Sequence, residues 1–88
     1  MKLRLYREIV TEKPYLFWSV GNKRGLSTES VVEAVLNYGN FDDVLNLFEI
    51  LSIKRVSEIF YKQSGLKRNN YKKQTQYFFD QYFKKRGF

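Results

Sequence analysis

The chain contains no histidine and no cysteine, which removes the commonest general base, the thiolate nucleophile and the usual transition-metal ligands. Carboxylates, lysines and hydroxyls are left for chemistry. The carboxylates include pairs: Glu8/Glu12 and Glu29/Glu33 at i and i+4, and Asp42/Asp43 side by side. On a helix an i, i+4 pair shares a face and can hold a hard cation weakly. Nothing brings further oxygen ligands to these pairs, so a solvated face accounts for them and no metal is assigned. No glycine pattern of the P-loop or Rossmann kind is present to cradle a nucleotide. With no base, nucleophile and orienting group to assemble, the expectation is a binding protein without enzymatic activity, cofactor or metal.

The bases are arranged in blocks. Residues 1–26 carry six bases against two acids, residues 27–53 five acids and no base, and residues 54–88 ten bases against two acids, for a net charge of +7. An acidic middle flanked by two basic segments suggests one basic patch in three dimensions and an acidic partner. Lys67, Arg68, Lys72 and Lys73 gather before the last helix, where the helix dipole is already positive. With Tyr71 they make a candidate site for phosphate or for a partner's carboxylates. Lys54, Arg55, Tyr61 and Lys62 extend it along the outer face of the preceding helix, with Tyr77 as a further ring for short-range contact. The plain alternative is a solvated, lysine-rich surface.

These side chains need a scaffold, and 88 residues with 43% hydrophobic and 18% aromatic content suffice for one folded domain, residues 1–88. The periodicity is helical almost throughout, predicting an all-α class: a single small bundle of four or five short helices with an N-terminal arm. Leu3, Tyr6, Ile9 and Val10 favour a short helix over a strand, stopped by Pro14. Trp18 in the apolar cluster 15–20 reads as a core anchor. A helix from Thr28 to Tyr38 opens at Ser27, closes at Gly39 and carries the stripe Val31, Val32, Val35, Leu36 and Tyr38. Asn40 caps the next, whose buried face is Phe41, Val44, Leu45, Phe48 and Leu51, with Leu47 and Ile50 widening it. Ser52 caps a third, with Ile53, Val56, Ile59 and Phe60 inward, ended by Ser64-Gly65. The last, from about Tyr71 to Lys85, aligns Tyr71, Thr75, Phe78, Phe79, Tyr82 and Phe83. Val35, Leu45, Phe48, Val56, Ile59 and Phe79 are expected in the core. No apolar run approaches the roughly 18 residues of a membrane span, and the N-terminus lacks the apolar stretch of a signal peptide, so the expected location is the cytoplasm and no membrane is expected as a partner.

The stretch Leu16-Phe17-Trp18-Ser19-Val20, followed by Val32-Glu33-Ala34-Val35-Leu36-Asn37-Tyr38-Gly39-Asn40 and then Asp43, resembles a family of small bacterial antitoxin-like proteins. Its members share a Leu-Phe-Trp-Asp-Val motif, a Val-Leu-x-Tyr-Gly-Asp helix end and an aromatic C-terminal helix. The resemblance covers about residues 15–83 and departs from the family's pattern at Ser19 and Asn40, where acids are usual. It implies a gene beside a nucleotidyltransferase toxin of the abortive-infection type, and hence neutralisation of that toxin by direct contact. The alternative is a small basic DNA- or RNA-binding protein of helix-turn-helix type. After Gly39, however, the reading helix would present Asp42, Asp43, Asn46 and Glu49, which phosphates repel. A shifted version reading with the helix 53–62 lacks the glycine turn.

Overall fold

The computed structural model of the protein describes residues 3–12, 16, 27–65, 69 and 71–88. It is a small all-α bundle. Helix α1 (Leu3–Leu5) runs directly into a π-helical turn over Tyr6–Val10, followed by α2 (Thr28–Tyr38), α3 (Phe41–Leu51), α4 (Ile53–Ser64) and α5 (Lys73–Lys85). No strand occurs among the described residues. The N-terminal segment is therefore helical, and it buries Leu5, Ile9 and Val10. Pro14 and Trp18 lie outside the described residues, so their expected roles are not addressed.

The boundaries follow from local capping chemistry. Ser27 Oγ accepts from the Ser30 N–H at 3.1 Å, and the Gly39 N–H donates to the Val35 carbonyl at 2.9 Å. Gly39 has ordinary backbone angles, yet a Cβ there would lie 2.8 Å from the Val35 carbonyl oxygen, so glycine is required by space. Asn40 and Asp43 form a reciprocal capping box: Asn40 Oδ1 accepts from the Asp43 N–H at 2.8 Å and Asp43 Oδ2 from the Asn40 N–H at 3.0 Å. Ser52 alone joins α3 to α4. It sits at φ 75, ψ 148, donates its N–H to the Phe48 carbonyl at 2.8 Å, and caps α4 by accepting from the Arg55 N–H at 3.2 Å.

The last helix starts at Lys73, two residues later than the apolar pattern suggests. Ahead of it, Asn69 Oδ1 accepts from the Tyr71 N–H at 3.0 Å, and Asn37 Oδ1 from the Lys72 N–H at 3.1 Å. The second bond ties the end of α2 to the start of α5.

Phe60 is the hub of the core. Its ring centroid lies 5.1 Å from Tyr71, 5.5 Å from Phe83 and 6.2 Å from Phe79, within the range where edge and offset aromatic pairs attract beyond their burial. Around it pack Val31, Val32, Val35, Val44, Leu47, Val56 and Ile59, all buried.

The expected core holds for Val35, Val56, Ile59 and Phe79, while Phe48 is partly buried against it. Leu45 is a correction, being 45% exposed, as is Phe41 at 50%. In their place α3 buries Asp43, Val44, Leu47, Ile50 and Leu51, a face rotated by roughly a quarter turn at 3.6 residues per turn. Helix α3 is apolar on nearly every side, so periodicity alone does not choose its inner face. Packing against the rest of the bundle chooses it, and Asp43 is buried within its capping box. Tyr38 and Phe78, also expected inward, are exposed for the same kind of reason. Each is next to a site already filled, and neighbouring residues on a helix diverge by about 100°.

Candidate protein-contact surface

The rotation of α3 leaves a row of rings at the seam between α3 and α5. Half-buried Tyr82 is its centre. Its ring stacks on Phe48 at 5.9 Å and on Phe78 at 5.9 Å, and meets Phe41 edge-on at 6.2 Å. Phe48 continues inward to Phe83, at 6.0 Å. The half-exposed rings are thus the outer end of the aromatic stack that forms the core, and their positions are held by it.

Two open grooves flank this row. One runs between the α2–α3 turn and the first turns of α5, lined by Leu36, Phe41, Val44, Gln74 and Phe78 among others. The other follows the outer side of α5 past Gln74, Tyr77, Phe78, Tyr82, Lys85 and Arg86. Phe78 and Gln74 border both. Tyr77, 72% exposed, is the most exposed large apolar side chain among the described residues.

Cations sit on the rings. Arg86 lies with its guanidinium carbon 3.6 Å from the Tyr82 ring centroid, and its Nη1 donates to the Tyr82 carbonyl at 3.3 Å. Lys72 Nζ is 4.4 Å above the exposed Tyr38 ring, toward the other end of α5. Such contacts stabilise exposed sites by about 0.5–1 kcal/mol each. Lys84, by contrast, is engaged by Asp80 at 3.1 Å.

The basic residues expected to form one patch are described in part. Lys54 and Arg55 are exposed in the first turn of α4, whereas Lys73 lines a recess with Ser64 at that helix's far end, together with Phe60, Gln76, Tyr77 and Asp80. Ten residues of α4 separate Lys54 from Ser64, about 15 Å of helix. Lys62, Lys72 and Lys73 are exposed; Lys67 and Arg68 lie outside the described residues.

Tyr61 and Tyr71 belong to the packing, which corrects the expectation of outward-facing rings. Tyr71 is 7% exposed and its hydroxyl donates to Gln63 Oε1. Burial, with Glu33 as a lesser cause, pushes its pKa well up. Tyr61 is half-buried and donates to the Asp80 carbonyl at 3.4 Å; burial and then Asp80 raise its pKa. Of the three rings expected to make contact, Tyr77 is the one fully at the surface.

Two of the carboxylate pairs have a member engaged within the fold. Glu8 is engaged by Arg4, which also lies 3.6 Å from Glu49. Asp43 is buried in its capping box while Asp42 is exposed. Among the described residues no group of three carboxylates of metal-binding size occurs, and no helix is long and apolar enough to cross a membrane.

The α3–α5 row was missed because Phe41, Leu45 and Phe78 read as core. The available signal was their surplus: α3 holds more large apolar residues than one inner face accommodates, and α5 sets Phe78 beside Phe79. A comparison with family models, with curated proteins and with solved structures finds no match to the chain.

Proposed function

We propose that this chain is a protein-binding module that acts by direct contact through the aromatic α3–α5 face, and that, in keeping with the resemblance of its sequence, it neutralises a nucleotidyltransferase-type toxin. The observation that carries the contact reading is the half-exposed pair of rings Phe41 and Phe78 on either side of Tyr82, with Arg86 stacked on Tyr82. Contiguous exposed apolar patches on small domains mark interaction sites. Tyrosine and arginine, both present here, are the residues most enriched where interface energy concentrates. The same reading puts the protein in the cytoplasm, where nucleotide-using enzymes work.

Nucleic-acid binding is the second reading, favoured by the net charge of +7. Against a helix-turn-helix stands the junction of α3 and α4: a single residue, Ser52, where that motif uses a turn of three to four residues. Helix α3 itself offers Asp42 and Glu49 beside its rings. Salt separates the two readings, because phosphate contacts weaken log-linearly with ionic strength and an aromatic interface hardly responds.

The functional test is co-expression with the nucleotidyltransferase encoded beside its gene. The wild-type chain restores growth and co-purifies with the enzyme. Phe78→Asp, confirmed helical by circular dichroism, does neither. Growth restored equally by the Phe78→Asp variant removes the α3–α5 face from the account.

A further inference from the structure

The outer groove of α5 has a charge as well as a shape. Among the described residues its lining contains Lys85 and Arg86 and no carboxylate. Neither cation has an ion-pair partner among the described residues, whereas the adjacent Lys84 is engaged by Asp80. Arg86 is also held in place by its stacking on Tyr82 and its bond to the Tyr82 carbonyl. A guanidinium has five N–H donors, so that single bond leaves most of them for an incoming group, and a side chain already ordered loses less freedom on binding.

The groove's shape matches a helix. Gln74 to Arg86 spans about 18 Å of α5, the length of roughly three turns of a partner helix. Phe78 and Tyr82, at i and i+4, form the kind of ridge that interdigitates with i, i+4 side chains of a second helix. No strand edge is present among the described residues to receive an extended peptide. A second copy of the chain, carrying the same +7, would approach against its own charge.

From these observations we infer that the occupant of this face is an acidic amphipathic helix of the partner protein. Its apolar stripe lies on Tyr77, Phe78 and Tyr82, and its carboxylates meet Lys85 and Arg86. The inference rests on the reading of this face as the protein-contact surface and adds the chemistry of what lies on it. It ties association to salt only through the rim, since Lys85 and Arg86 govern the approach while the rings hold the complex.

The test is selection from a phage-displayed library of helix-biased peptides, about four turns long, on the full chain, with affinities of the enriched peptides read by fluorescence polarisation. The expected peptides carry apolar residues at i, i+4 and i+7 and Asp or Glu clustered toward one end. Arg86→Glu weakens them about tenfold at low salt and Phe78→Ala about tenfold at any salt. Lys62→Glu, with the same change in net charge outside the groove, alters affinity less than about twofold. Enriched peptides that are basic or extended, but still lose binding in Phe78→Ala, overturn the helix and leave the contact face standing. Peptides that bind Phe78→Ala as tightly as wild type, or a selection that enriches nothing, overturn both. A chain that sediments as a dimer dissociated by Phe78→Asp makes the occupant a second copy and overturns the inference.

Discussion

Tyr71 shows how a side chain that looks functional becomes structural. Its ring fills the space beside Phe60 and its hydroxyl meets Gln63, so the neutral phenol is the form the fold accommodates. With the native pKa raised above the ordinary value of 10.0, the unfolded chain releases this proton first as the medium becomes alkaline. Tyr71 therefore contributes stability that is fully present below about pH 10 and is lost as pH climbs toward the native pKa. Chemical denaturation of Tyr71→Phe should show a loss of about 1 kcal/mol at neutral pH and a shallower decline than wild type above pH 10. Leu45 and Leu47 give a second test at this scale. Leu47→Ala should cost about 2–5 kcal/mol, while Leu45→Ala stays within about 0.5 kcal/mol, because only the first opens a cavity. The two leucines are indistinguishable by type. What separates them is which side of α3 the rest of the bundle covers, a tertiary outcome that hydrophobic periodicity does not register.

At the scale of the elements, helix limits were legible and helix orientations were not. Ser27, Gly39, Asn40, Ser52 and Gly65 all end or begin helices where their chemistry indicates, since capping is settled within a few residues of chain. The inner face of α4 was legible too, because its charged residues leave one apolar stripe. Helices α3 and α5 carry more aromatic and aliphatic surface than one face can bury, and only tertiary contacts decide which part is left out. The backbone at Ser52 was also hidden from the sequence. Its positive φ with extended ψ lies in a region that glycine occupies far more readily, at a cost of roughly 1–3 kcal/mol for other residues. Exchanging a serine cap for glycine loses only a few tenths of a kcal/mol. Ser52→Gly should therefore raise the melting temperature, and Gly39→Ala, driven against the Val35 carbonyl, should lower it; differential scanning calorimetry reads both signs.

For the molecule as a whole, charge and contact separate into different places. The acids of the middle segment are spent partly within the fold, in the Asn40 box and against Arg4. Apart from Arg4 and Arg7 in the N-terminal segment, the described bases lie at both ends of α4 and at both ends of α5. On the proposed reading, a net charge of +7 acts over distance on the rate at which an acidic partner arrives, while the short-range attachment falls to Phe41, Phe78 and Tyr82. The most direct measurement is the affinity of the full chain for the proposed partner, a nucleotidyltransferase-type toxin, taken for wild type and Phe78→Ala at low and high salt. The account predicts a dissociation constant that rises about tenfold or more with Phe78→Ala and changes little with salt. An affinity that ignores Phe78→Ala and collapses log-linearly with salt would contradict it.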